Sequence, residues 1–215
     1  MPLIESVRKS LQIFTSRLSV RRDNDPISTV SALNYFVATR ASFVSQKSLY
    51  GYLKTRMGTR YPSMFEDDVF VESINIAKAH VFAGCLSDLT IYATAHAFDA
   101  DSDDATRKSV ALRCYSEALA ENADQLPSQF SENDSTVEFS ARLDGTAWTG
   151  AALDRENFTE SRRTLFEWAP IAPELKKNDL EIVRNSINFA FHEVRQDYAK
   201  RLVAAAVRAD LGKRD

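Results

Sequence analysis

The residues best suited to chemistry in this chain are three histidines and two cysteines. Cys85 and His96 fall in one apolar stretch with Asp88 between them, and a cysteine beside a histidine can form an activated thiolate. Eleven residues separate Cys85 from His96, which is a rise of about 16 Å along a helix. Side chains that far apart cannot touch. We therefore predict that both are buried structural residues.

The short motifs that mark common enzyme classes are absent from the sequence. There is no Gly-x-Ser-x-Gly nucleophile elbow, glycine-rich phosphate loop, His-Glu-x-x-His or paired Cys-x-x-Cys. A di-iron bundle needs Glu-x-x-His pairs, but Ala77 and Phe189 occupy the positions where His80 and His192 would need their glutamates. We predict no catalytic residue, no metal and no cofactor from these patterns.

A line of alternating aromatic and basic residues is the best candidate for a functional surface. Its members recur every three or four residues, so at about 100° per residue they share one narrow face of a helix. This aromatic-basic face consists of Phe36, Arg40, Phe43, Lys47, Tyr50, Lys54 and Met57, and it is extended by Arg56, Arg60 and Tyr61. It fits an acidic protein segment, anionic lipid headgroups or stacked RNA bases. The alternative is that the rings fill a groove between helices while the basic side chains reach solvent.

The helix that must position these groups is predicted over residues 68–98. It is apolar on nearly every side, which is typical of a membrane span or of the central helix of a bundle. A span needs about 20 predominantly apolar residues, whereas Lys78 and Asp88 bracket only nine, Ala79 to Ser87. We predict the central helix of a soluble, all-α, single-domain bundle.

The flanking segments also show helical periodicity. The further helices are predicted over 28–57, ending at Gly58, over 105–123, over 159–168 and from a cap at Asn178 or Asp179 to about Asp210. The last of them is the cleanest amphipathic pattern in the chain, and at 1.5 Å per residue it would be about 45 Å long.

The segment 137–149 gives two readings. Alternating Val137, Phe139, Ala141 and Leu143 before Asp144-Gly145 permit a short β-hairpin. The same apolar residues also match helical spacing, and a lone hairpin is only marginally stable in water. We favour short helices here, with the hairpin as the alternative.

Composition restricts the class of protein. A chain of 215 residues with 44% hydrophobic and 27% charged residues is an ordinary globular chain that fits one large domain. The formal net charge of −3 gives no general attraction to nucleic acid, so a nucleic-acid partner is disfavoured. Two cysteines make no disulfide framework and fit a reducing cytoplasm.

Residues 1–22 predict a separate amphipathic N-terminal helix ahead of a bundle domain at 23–215. Leu3, Val7, Leu11, Phe14 and Leu18 form one apolar stripe. Five basic residues stand against the single acid Glu5, which suits reversible contact with an anionic membrane surface. The same pattern describes a terminal helix packed on its own bundle.

Three segments carry a resemblance to known proteins: Ser48–Asp68 (SLYGYLKTRMGTRYPSMFEDD), Ser73–Leu89 (SINIAKAHVFAGCLSDL) and Trp168–Ile187 (WAPIAPELKKNDLEIVRNSI). Through them the chain resembles a set of alphaproteobacterial all-helical proteins of similar length, whose function is not established. Some members bear an esterase label, which the missing nucleophile elbow does not support here. The resemblance implies a bacterial, cytoplasmic protein and supplies no activity, cofactor or site residue.

These observations favour a non-catalytic interaction or scaffold protein that docks a protein partner on the aromatic-basic face. The alternatives are a helical enzyme or small-ligand binder whose site assembles only in three dimensions, and a protein peripheral to the inner face of the membrane. The sequence leaves homo-oligomerisation open. A deep pocket with converging charged side chains would favour the ligand binder.

Overall fold

The structure is a computed structural model that describes residues 24–98, 102–148 and 158–213. Within these ranges the chain is all-α and compact, as the sequence predicts. The described helices are α1 (Val30–Met57), α2 (Asp68–Ala97), α3 (Asp104–Ala120), α4 (Glu132–Asp144), α5 (Glu160–Trp168), α6 (Pro173–Lys176), α7 (Leu180–Arg201) and α8 (Ala204–Leu211). The predicted helix at residues 1–22 lies outside the described residues.

Helix α2 is the most deeply buried element of the described chain. Asp67 caps it by accepting hydrogen bonds from the Val69 and Phe70 amides at 2.9 and 3.4 Å. Twenty of its 30 residues are buried, including every residue from Val81 to Ala95. The helix packs against α1, α3, α4, α5 and α8. It is long and apolar enough to cross a membrane, but most of it is buried within the described chain, which is consistent with a soluble protein.

Helix α1 is fixed at both ends by local sequence. The Thr29 hydroxyl caps it by accepting from the Ala32 amide at 3.1 Å. At its C-terminus Gly58 adopts a positive φ of 55°, a conformation that glycine takes without strain. Between these ends one face of α1 packs on α2 and another packs on α7.

The C-terminal helix is shorter than predicted. It ends at Arg201, and α8 begins at Ala204. The Ile27 amide donates to the Arg201 carbonyl at 2.8 Å, and the Val203 amide donates to the Ile27 carbonyl at 3.0 Å. The prediction of one helix to about Asp210 is therefore wrong, because a distant segment of extended chain takes over backbone groups that a continuous helix would use itself.

The alternative hairpin at 137–149 is also wrong. Residues Glu132–Asp144 form α4, which the Ser131 hydroxyl caps by accepting from the Asp134 amide at 3.1 Å. Phe139 and Leu143 are buried four residues apart on one helical face. The helix is favoured over the hairpin because it buries the Phe139 and Leu143 side chains on one face. A lone hairpin would have no third strand to stabilise it.

Candidate functional site

The first half of the aromatic-basic face is an internal contact between α1 and α7. Phe36 is fully buried, and its ring centroid lies 5.2 Å from that of Tyr198. Arg40 pairs with Asp197 at 2.8 Å, and only 11% of the Arg40 side chain is exposed. Lys47 pairs with Glu193 at 3.0 Å. The face therefore meets acids supplied by α7 of the same chain.

The partly buried Phe43 belongs to the same contact. The Lys47 ammonium lies 5.3 Å from the centroid of the Phe43 ring and 4.9 Å from that of Phe189 on α7. Cations at such distances are attracted to aromatic faces. The alternation of rings and cations thus matches a cross-helix packing pattern.

The second half of the face is more open. Lys54, Arg56 and Arg60 are exposed, while Tyr50 and Tyr61 are half-buried. Burial raises the pKa of Tyr50 to about 12, with Tyr61 adding to the shift. Arg56 pairs with Asp179 at 2.9 Å.

The structure brings a different set of residues together in a trough between α2, α4 and α5. This trough encloses about 570 Å³. Its floor is one face of α2, formed by His80, Ala83, Gly84 and Ser87. Its walls are the facing sides of α4 and α5, with Tyr115 of α3 and the connector residues Gln129 and Phe130 completing the lining.

Small residues on α2 create the space and bring the walls close. Ala83, Gly84 and Ser87 leave little side chain above the floor. A Cβ atom on Gly84 would lie 2.9 Å from the carbonyl oxygen of Glu160, closer than real Cβ atoms come to other atoms. Gly84 therefore allows α5 to approach the backbone of α2.

The two walls run in opposite directions along the floor. Phe130, just before α4, contacts His80, and Arg142, near the end of α4, pairs with Asp88. On the other side Ser161, at the start of α5, binds Asp88, and Trp168 at its end stacks on His80. The trough thus has an aromatic end at His80 and a polar end at Asp88, eight residues or about 12 Å apart on α2.

Three rings form the aromatic end. The His80 and Trp168 rings are stacked with centroids 3.5 Å apart and an interplanar angle of 3°. Phe130 meets His80 edge-on at 5.1 Å. Burial lowers the pKa of His80, and Glu167 only partly opposes that shift, so the imidazole is neutral at pH 7. Its Nε2 atom is buried and has no hydrogen-bond partner among the described residues.

A fully buried carboxylate organises the polar end. Asp88 pairs with Arg142 at 2.7 Å and accepts hydrogen bonds from the amide of Ser161, at 2.8 Å, and from its hydroxyl. Arg142 also donates to the Ser87 hydroxyl at 2.6 Å. Burial raises the pKa of Asp88, while Arg142 and Ser161 oppose the shift. This cluster joins α2, α4 and the N-terminus of α5.

Charged side chains line the walls between the two ends. On α5, Arg163 lies between Glu160 and Glu167 and pairs with each at 2.8 Å. On α4, Asp134 and Glu138 are exposed one turn apart. Within the described ranges neither Asp134 nor Glu138 forms an ion pair.

The cysteines are separate from this trough. Cys85 and Cys114 are buried, and burial raises the pKa of both thiols, Cys114 to about 12. Cys85 is thus buried, as predicted. His96 is exposed and packs on Tyr92 at 4.3 Å, so the prediction that it is buried is wrong. The described part of the chain contains no group of three or more His, Cys, Asp or Glu residues placed to hold a metal ion.

Comparison with known protein families, with curated proteins and with solved structures finds no match. The function must therefore be inferred from the residues of the trough itself.

The sequence did carry a signal for the trough. His80, Ala83, Gly84 and Ser87 are spaced three, one and three residues apart, which places them on one helical face. A histidine with three small residues on an otherwise bulky apolar helix indicates a face without tight side-chain packing. The wall residues carry no such signal, since their charges resemble those of a solvated surface.

Proposed function

We propose that this protein binds a small organic molecule in the trough between α2, α4 and α5. The observation that carries the proposal is a cavity of about 570 Å³ in which aromatic rings and charged side chains from three helices converge. Small-molecule sites in proteins commonly enclose about 300–1,000 Å³ and combine apolar walls with a few oriented polar groups. The trough has this size and has aromatic rings at one end, but polar and charged side chains make up the larger part of its lining.

The rigidity of the surrounding packing supports a preformed site. The Asp88 cluster fixes the position of Arg142 and of the α5 N-terminus. Tyr115 and Phe139 stack with centroids 4.1 Å apart, and Tyr115 shares a hydrogen bond of 2.7 Å with Ser135. A site whose walls are held by such contacts binds without a large ordering cost.

In this proposal α2 is the central helix of the bundle and also the floor of the site. Its burial and its contacts with five other helices support that role. Free, buried Cys85 and Cys114 support a reducing compartment such as the cytoplasm. The proposal concerns binding and assigns no reaction.

The aromatic-basic face supports a partner-docking function less well than the trough supports a ligand. Phe36 and Arg40 are occupied by α7, so a partner could reach only the open part near Lys54 and Arg60. A partner that needs the whole face would first have to displace α7. Docking at Lys54 and Arg60 would leave the trough unexplained.

A fragment screen by ligand-observed NMR tests the proposal. Ala83→Phe places a ring on the trough floor, and Ala199→Phe adds the same ring at an exposed position outside the trough. We expect fragments that bind the wild type and the Ala199→Phe variant to lose their signal with Ala83→Phe. Trp168→Ala, which removes an aromatic wall at a partly exposed position, gives a second test if Ala83→Phe does not fold.

Melting curves of each variant show whether the fold is intact. Binding that persists equally in folded Ala83→Phe and Trp168→Ala would contradict the proposal. A complete absence of fragment binding to the wild type would also contradict it.

A further inference from the structure

We infer that the ligand of the trough is a small organic amine, with its ammonium group against Asp134 and Glu138 and its apolar part against Phe130 and Trp168. This inference rests on the proposed function, because it assigns a chemical class to the ligand of the same trough. Two observations support the amine class: the negative charges on the trough walls and the aromatic rings at the His80 end of the trough.

The charges that line the trough are predominantly negative. Four acids, Asp134, Glu138, Glu160 and Glu167, stand against the two arginines Arg142 and Arg163. Both arginines are neutralised by carboxylates: Arg142 by the buried Asp88, and Arg163 by the two glutamates of its own helix. The two glutamates that share Arg163 leave one further negative charge on α5. Among the described trough acids, Asp134 and Glu138 on α4 are the two that form no ion pair.

Asp134 and Glu138 face the same way. They are four residues apart on α4, so their side chains are neighbours on one side of the helix. Like charges at this spacing repel each other and weaken an isolated helix slightly. A ligand cation between the two carboxylates would remove that repulsion and would bind through charge-assisted hydrogen bonds.

The aromatic end suits the rest of such a ligand. Phe130 lies just before the N-cap Ser131, and Asp134 is in the first turn of α4, so the first carboxylate follows the ring cluster closely along the chain. The faces of Phe130 and Trp168 attract apolar groups and cations, while a neutral His80 adds no repulsive charge. A molecule with an amine and a short apolar or aromatic group satisfies both parts of the trough.

An anionic ligand fits the same trough poorly. It would have to compete with Asp88 for Arg142, or with Glu160 and Glu167 for Arg163. It would also approach Asp134 and Glu138, and like charges placed together oppose binding. The charges on the trough walls therefore favour a cationic ligand over an anionic one.

Three matched probes test the inference: 2-phenylethylamine as the cation, 2-phenylethanol as the neutral analogue and 3-phenylpropionate as the anion. The readout is the fluorescence of Trp168 in a Trp148→Phe variant, since the chain has only these two tryptophans. Calorimetry on the wild type provides a second measurement. We expect the amine to bind at least tenfold more tightly than the alcohol at low ionic strength, and the carboxylate to bind most weakly.

Asp134→Asn combined with Glu138→Gln removes both charges with little change in shape. Both residues are exposed, so this double variant is expected to fold. The matched control is Glu174→Gln with Glu181→Gln, which neutralises two exposed first-turn acids outside the trough. We expect at least a tenfold loss of amine affinity in the trough variant and no loss in the control.

The outcomes separate this inference from the proposed function. If the alcohol or the carboxylate binds as tightly as the amine, or if the trough variant keeps full amine affinity, the inference is overturned. If the amine does not bind while unrelated fragments bind and are lost in Ala83→Phe, the amine class is wrong but the site stands. If neither the amine nor any fragment binds, both proposals fail together.

Discussion

The indole ring of Trp168 lies flat on the imidazole of His80, with ring centroids 3.5 Å apart and planes 3° from parallel. His80 belongs to the floor helix α2 and Trp168 to the last turn of the wall helix α5. The pair closes one end of the trough and also keeps water away from the imidazole. The pKa of His80 therefore depends on whether this end of the trough is intact.

Removal of the indole should shift the titration of His80. Burial lowers the pKa of His80 below its usual 6.5, so Trp168→Ala should raise that pKa toward 6.5 by admitting water. The measurement is an NMR titration of the histidine ring resonances in the wild type and in the variant. An unchanged His80 midpoint in a folded Trp168→Ala variant would show that the indole does not desolvate the imidazole.

The same burial predicts how stability depends on pH. Burial lowers the pKa of His80, and partial desolvation lowers that of the more exposed His96. The unfolded chain therefore binds more protons than the folded chain as pH falls below 6.5. Stability should therefore be full above pH 6.5 and should decline from pH 6.5 toward the lowered pKa values. Urea unfolding at pH 7.5 and pH 5.5 measures this decline. His80→Gln should reduce it, whereas a decline of equal size in that variant would contradict a contribution from His80.

Loss of the Asp88 carboxylate should be strongly destabilising. Asp88→Ala leaves Arg142 without its buried partner and the Ser161 amide without its acceptor. Removing one partner of a buried ion pair costs about 3–5 kcal/mol. Asp144→Asn is the control, because Asp144 pairs with Lys108 at an exposed position where such pairs contribute about 0–1 kcal/mol. Urea unfolding compares the two, and similar losses would show that the Asp88 cluster is not a structural anchor.

Two glycines within helices should respond to alanine in opposite directions. A Cβ atom at Gly84 would meet the α5 backbone and Thr164, so Gly84→Ala should destabilise the protein by about 1–3 kcal/mol through overpacking. Gly51 has nothing within 4 Å of such an atom, and Gly51→Ala should stabilise α1 by about 0.5–1 kcal/mol. Thermal unfolding of both variants checks the contrast. A neutral Gly84→Ala would mean that α5 does not need this close approach to α2.

The sequence by itself determined that α1, α2, α3 and α5 are helical. The 3.6-residue periodicity, the Asp67 and Thr29 caps and the Gly58 terminator are local features, so they act wherever the segment lies in the fold. The all-α class followed from the periodicity. The hairpin alternative at 137–149 remained open because Phe139 and Leu143 fit both periodicities at short range, and only their shared burial in the bundle decides for the helix.

Only the tertiary structure decided where a helix is interrupted by a distant partner. The pattern of α7 and α8 reads as one continuous amphipathic helix. The break after Arg201 depends on Ile27, whose backbone hydrogen-bonds with residues on both sides of Leu202. Periodicity indicates which side chains face the core. It gives no sign that a backbone segment at the opposite end of the chain will hydrogen-bond to the groups that would continue the helix.

Only the tertiary structure also decided which polar groups converge. The cations of the aromatic-basic face were visible in the sequence, but Asp197 and Glu193, which pair with Arg40 and Lys47, are supplied by α7. The trough likewise needs small residues on α2 and charged faces on two helices that follow much later in the chain. Helical periodicity assigns each residue to a face. Which face of another helix lies opposite depends on how the helices pack. Contacts between residues far apart in sequence therefore decide the neighbours of each side chain, its exposure to water and the net charge around it.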